Sequence, residues 1–201
     1  MYNSVLLHNP DIDVLLFKNF EQIHSPSHDE VPYGFKIYAI QKAKDLGYEI
    51  IIWLDSVIRF VRDIKPLLPE IESRGVYLQE DGWNSGQWAN DRCLNYFKLS
   101  RDDATNIPGI YACIMIFDFK NSITMNFFNE WKLASQNGIF KGRWDNTQKT
   151  ESQDTRCLGH RHDQVCAEII SYKLQIPRGR MLVNPKHPED ETRYFTTWNY
   201  S

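Results

Sequence analysis

The chain has no basic stripe, no CxxC pair, no long apolar run and no internal repeat or low-complexity tract. A net charge of −3 and a pI near 6.1 make nucleic acid a poor partner. The four cysteines (Cys93, Cys113, Cys157, Cys166) lack CxxC spacing and two lie in core-like segments, so reduced thiols are expected. No signal-peptide pattern and no bilayer-length apolar run occurs. The expectation is a chain that works in the cytoplasm without a membrane span, or a catalytic fragment of something larger.

The composition that remains is that of an ordinary globular protein, 42% hydrophobic and 24% charged, and 201 residues suggest one domain over 1–201. Six tryptophans suit either stacking on a flat ligand such as a sugar or packing beneath a loop-rich surface.

The most informative run is Gly47 to Asp63, GYEIIIWLDSVIRFVRD. Ile50 to Leu54 is apolar on both faces and stops at Asp55, which predicts a strand buried on both sides, as in the middle of a parallel sheet. In open α/β sheets the ligand lies beyond the carboxyl ends of such strands, where Asp55 sits. Asp13 to Phe17 (DVLLF) reads as a strand and Gly34 to Leu46 as a helix, so a βαβ unit is expected. Further on, Val57 to Val61 and Val76 to Gln79 read as strands, Ile64 to Arg74 as a helix and Glu80 to Ala89 as a Gly- and Trp-rich loop. Ile110 to Phe117 is a second fully apolar strand and Ser122 to Gln136 an amphipathic helix. Ile139 to Gly159 is a long polar loop, of the kind that is functional or mobile. Asp163 to Leu174 is a helix and Met181 to Val183 a last strand. A dozen residues before Asp13 leave room for a helix at Tyr2 to His8 but for no earlier strand, so the first strand of a nucleotide-binding domain is missing or its base site is built differently.

Several residue types point to chemistry. Asp55 is a metal or diphosphate contact, or a cap on the next turn. In His160-Arg161-His162-Asp163-Gln164, directly before a helix, Asp163 falls where the helix dipole favours an ionised carboxylate that accepts a proton from a sugar hydroxyl. Arg161 and the histidines place donors where a leaving diphosphate needs them; the bland alternative is a solvated cap. Gly82, Trp83, Gly86 and Trp88 suit a sugar-facing wall or a surface turn. His187 could swing over a metal, or be structural. Lys36 could reach a phosphate, or be a solvated helix lysine.

GFKIYAIQKAKDLGYEIIIWLDS, GWNSGQWAND, IYACIMIFDFKNS with a following FFNEW, and GHRHDQ together resemble the GT-A nucleotide-diphospho-sugar glycosyltransferases. The likeness, from about Asp13 to Gln175, is to small soluble members of the kind found in large algal viruses and some bacteria. It implies an α/β fold, a single Rossmann-like GT-A domain whose mostly parallel central sheet is flanked by helices. It also implies a sugar donor, often UDP-linked, a glycan or glycoprotein acceptor, and Mn²⁺ or Mg²⁺; a viral member would work in the host cytoplasm. The family's strand-end motif is commonly Asp-x-Asp, whereas this chain has Asp55-Ser56-Val57. The implied assignment is an inverting transfer with Asp163 as base. Lys36, Asp55, Ser56, Arg161 and His162 would face the donor, and Trp83, Gly86, Trp88, His160 and Gln164 the acceptor. Asp55 and His187 would hold the metal. Two other readings remain: a metallohydrolase using His160, His162 and Asp163, and a non-catalytic glycan- or nucleotide-binding module.

Overall fold

The computed structural model describes residues 2–179, 182–183 and 193–197. Helix α1 (Tyr2–His8) leads into an irregular stretch and helix α2 (Phe35–Asp45), which ends before Gly47. Strands β1 (Ile50–Leu54) and β2 (Ile58–Phe60) follow, separated by a tight turn. A 3₁₀ turn at Lys65–Leu67 enters helix α3 (Leu68–Arg74), with Pro66 and Pro69 placed early, where a missing N–H costs nothing. Gly75 closes that helix at φ +74°; a Cβ there would lie 2.8 Å from Asn121, Ile123 and Thr124, so only glycine fits the turn into β3 (Val76–Tyr77).

The segment expected to be a loop is instead β4 (Glu80–Asn84) and the single turn α4 (Ser85–Trp88). Its start is a capping box, with Asn84 and Gln87 satisfying each other's backbone N–H. Helices α5 (Asp91–Phe97) and α6 (Arg101–Thr105), strands β5 (Pro108–Ile110) and β6 (Ile114–Asp118) and the long helix α7 (Ser122–Gln136) come next. The segment from 139 to 161 has neither helix nor strand; helix α8 (His162–Lys173) and strand β7 (Phe195–Thr197) complete the fold.

The architecture is α/β, but the sheet is not parallel. The order is β1-β6-β3, and β6 runs antiparallel to both neighbours, with Ile52 opposite Ile116 and Tyr77 opposite the same residue. β6 is buried along its whole length, whereas β1, expected in the middle of the sheet, lies at its edge and is only half-buried apart from Ile51; an apolar run fixes neither position nor strand direction. Met115 and Phe117 enter a core with α2, α7 and α8, while Ile114 and Ile116 enter a second core with β2 and α3. Two covering layers thus produce the pattern that a parallel sheet would also produce. The expected strand at Asp13 to Phe17 is irregular chain that forms no strand pairing among the described residues, so no βαβ unit is seen there; Leu15 and Leu16 stay partly in solvent. The run read as one strand from Ile110 to Phe117 is broken at Tyr111 to Cys113, and its halves join different sheets. Of the predicted last strand, Met181 lies outside the described residues and Val183 forms an isolated bridge to Phe195. The four cysteines are unpaired. No helix among the described residues is long and apolar enough to cross a membrane.

Candidate active site

A cleft of about 310 Å³ opens where β1, the first turn of α2, the β4–β5 pair and the start of α8 converge. β1 ends at Leu54, but one more rung follows: the Asp55 N–H donates to the Cys113 carbonyl at 2.9 Å. The Trp53 indole N–H donates to Asp55 Oδ1 at 2.8 Å and turns the carboxylate into the cleft, where 34% of the side chain stays exposed. From the other side, Trp131 of α7 donates its indole N–H to the Asp163 carbonyl at 2.9 Å, fixing the start of α8. His162 there has φ +44°, a sparsely populated conformation for a non-glycine residue.

The two acids meet across a buried lysine. Lys36 is 3% exposed; its Nζ lies 3.0 Å from Asp163 Oδ2 and 3.6 Å from Asp55 Oδ1, and it donates to the Ala112 carbonyl at 3.0 Å. The Asp163 contact is an ion pair rather than an aligned hydrogen bond, since Oδ2 accepts no hydrogen bond of good geometry. Burial pulls the Lys36 ammonium down, but Asp163 and Asp55 outweigh it and hold its pKa above the usual lysine value. Burial raises the Asp163 carboxyl above the ordinary aspartate range despite Lys36. Tyr33, also in the cleft wall, is raised by burial and by the charge of Asp163.

The opposite wall is a second polar network. Arg161 lies over Trp88, its Cζ 4.0 Å from the ring centre, and donates to Asp81 Oδ2 at 3.0 Å. Gln164 donates to the same oxygen at 3.0 Å and to Glu168 Oε1 at 3.1 Å. Glu168 is fully buried and also accepts from the Ser85 hydroxyl and the Ile110 N–H; burial pushes its carboxyl up to about 7.

Of the residues named from the sequence, the cleft gathers Lys36, Asp55, Trp83, Arg161, Asp163 and Gln164. Trp88 stands behind Arg161. Ser56 is exposed in the turn after Asp55 and is not part of the wall. Gly86 is buried in α4 against α6, where a Cβ would come within 2.5 Å of Thr105 Cγ2. His160 and His162 also lie outside the wall. His160 Nε2 donates to the Ile139 carbonyl at 2.8 Å while Nδ1 accepts from the Asn90 N–H at 3.4 Å, and burial drops its pKa to about 3. His162 Nδ1 bonds the Phe140 carbonyl at 2.8 Å. Both rings therefore tie down main chain, which takes the support from the metallohydrolase cluster. His187 lies outside the described residues.

Tyr33, Asp81, Tyr111 and Trp144 line the cleft without having been singled out. Asp81 stood inside a segment noted only for its glycines and tryptophans, and Trp144 inside the patternless loop.

The donor set does not fit the ion that the resemblance implies. Mg²⁺ and Mn²⁺ need several oxygen ligands. Asp55 already serves an indole N–H and faces an ammonium, and Asp163 is paired with that same ammonium. Among the described residues no three His, Cys, Asp or Glu side chains converge to hold an ion. Lys36 already offsets the charge of these two carboxylates, so an ion beside Asp55 would have to share them with a buried ammonium.

No family model and no curated protein matches the chain. Among solved structures the chain is similar to apo mouse xyloside xylosyltransferase 1, at 11% identity and a TM-score of 0.43, over 84% of this chain and 63% of that one. It is similar also to WbbM, a bifunctional glycosyltransferase in its apo form, at 12% identity and a TM-score of 0.43, over 83% of this chain and 32% of that one. The matches span less than two thirds of the length of either glycosyltransferase.

Proposed function

We propose that this cleft transfers a sugar from a nucleotide-diphosphate donor, UDP-linked in the simplest case, to a hydroxyl of a glycan or glycoprotein. The observation that carries the reading is the meeting of a strand-end carboxylate, Asp55, and a helix-start carboxylate, Asp163, across one cleft. Asp55, partly exposed, accepts hydrogen bonds from donor hydroxyls. Trp83 and Trp144 offer flat faces to the acceptor sugar. Asp163 takes the acceptor proton; a carboxyl raised toward the working pH is the better base. The acceptor oxygen bonds to C1 as the bond from C1 to the diphosphate oxygen breaks, and its electron pair leaves with the diphosphate. A single displacement inverts the anomeric centre. Arg161 and Gln164 hold the far wall through Asp81.

The test is Asp163→Asn, read by nucleoside-diphosphate release and by calorimetric donor binding. Transfer should fall by at least about 100-fold while donor affinity holds, as expected for loss of a general base. Unchanged turnover would remove Asp163 from the chemistry.

A further inference from the structure

The cleft contains its own cation. An ammonium has three hydrogens. One Lys36 hydrogen donates to Ala112 and the ammonium pairs with Asp163 at 3.0 Å, whereas Asp55 is 3.6 Å away, beyond hydrogen-bond distance. The Asp55 contact is therefore the loose one, on the side of the partly exposed carboxylate, and a phosphoryl oxygen entering there can displace it. The stem is locked by burial in the first turn of α2, so the charge is held in place before any ligand arrives. Its Nζ also lies 5.3 Å from the Tyr33 ring centre and 5.7 Å from that of Trp53, which keeps the ammonium between aromatic faces.

We propose that Lys36 is the counter-cation of this site, so that donor binding and transfer run without a divalent ion. This rests on the sugar-transfer reading above. In that step the bond from C1 to the β-phosphate oxygen breaks and its electron pair goes to that oxygen. The acceptor oxygen bonds to C1 and its proton passes to Asp163. Lys36 exchanges no atom; it stabilises the negative charge that gathers on the departing nucleoside diphosphate, the task a coordinated ion performs elsewhere. Arg161, fixed over Trp88, supplies the second positive charge of the cleft.

The test is calorimetric binding of UDP, GDP and ADP to the intact chain, in EDTA and in Mn²⁺, for wild type and Lys36→Ala. Wild type should bind a nucleoside diphosphate in EDTA with a Kd within about twofold of its value in Mn²⁺. Lys36→Ala should bind at least about tenfold more weakly in EDTA. Mn²⁺ should return part of that loss, because two carboxylates then face a vacated cation position. Wild-type binding that weakens more than about tenfold in EDTA overturns the role of Lys36 and leaves sugar transfer standing. Undiminished binding by Lys36→Ala in EDTA overturns it too. Failure of all three nucleotides to bind wild type in either buffer overturns the sugar-transfer reading itself. Should the variant not fold, the wild-type comparison of the two buffers decides alone.

Discussion

Replacing Lys36 with methionine keeps most of the buried stem and deletes the charge. Asp163, 3% exposed, is then left without its ion-pair partner. Breaking a buried pair by removing one member costs about 3–5 kcal/mol, because an uncompensated charge stays behind. In a chain of this size each kcal/mol moves the melting temperature by roughly 2–4 °C, so the variant should melt about 6–20 °C lower near pH 8. The loss should depend on pH with a definite sign. The Asp163 carboxyl is raised by burial even with Lys36 present, and without the ammonium it rises further. The native state then holds a proton that the unfolded chain, with an aspartate pKa near 3.9, has released, so stability falls as pH rises through that interval. The Lys36 pKa is itself raised, so lysine stays charged throughout and adds no slope between pH 5 and 8. Urea titrations at pH 5 and pH 8 should therefore show the smaller deficit at pH 5, and Lys36→Met combined with Asp163→Asn should recover most of it. Equal deficits at both pH values, with no recovery in the double variant, would refute the reasoning.

Glu168→Gln should flatten the pH dependence of stability. The wild-type carboxyl, pushed up to about 7, binds a proton in the folded state that the unfolded chain gives up near pH 4.5, so wild-type stability declines as pH climbs through about 7. A melting-temperature series from pH 5 to 8 with the wild-type slope intact would contradict this. Gly86→Ala should lower the melting temperature, since its Cβ would meet Thr105 Cγ2 at 2.5 Å and the Thr105 amide nitrogen at 2.8 Å. Overpacking of this kind costs about 1–3 kcal/mol, and scanning calorimetry showing no change would count against the α4–α6 contact.

Long periodic elements were legible in the residues. Helix α7 has the bounds that its spacing predicts, and α8 and β1 fall within a residue or two of theirs. Strand direction was not legible, because burial on both faces arises from any two covering layers. Asp13 to Phe17 has the apolar content of a strand and lies beside β1, yet among the described residues it forms no strand pairing. The segment from Glu80 to Trp88 held a readable signal, the Asn84/Gln87 capping box, which its glycines and tryptophans masked. In HRHDQ, residue type marked the place and could not assign the roles. Arg161, Asp163 and Gln164 face the cleft, while the histidines turn to carbonyls some twenty positions upstream. Those carbonyls belong to a stretch without periodicity, so nothing in the chain announces them.

That tethering decides how the long surface excursion after α7 can change. Two imidazoles clamp its root at Ile139 and Phe140, and Asn146 stitches its middle to Ser152 and Cys157, leaving Thr147 to Thr150 as an exposed tip bonded only to residues close in sequence. Doubling the length of a flexible loop adds only about 0.6 kcal/mol of closure cost. Insertions at the tip, which lies outside the cleft wall, can therefore accumulate while the acids keep their positions. The fold thus keeps a fixed pair of carboxylates apart from a surface turn whose length is free to vary.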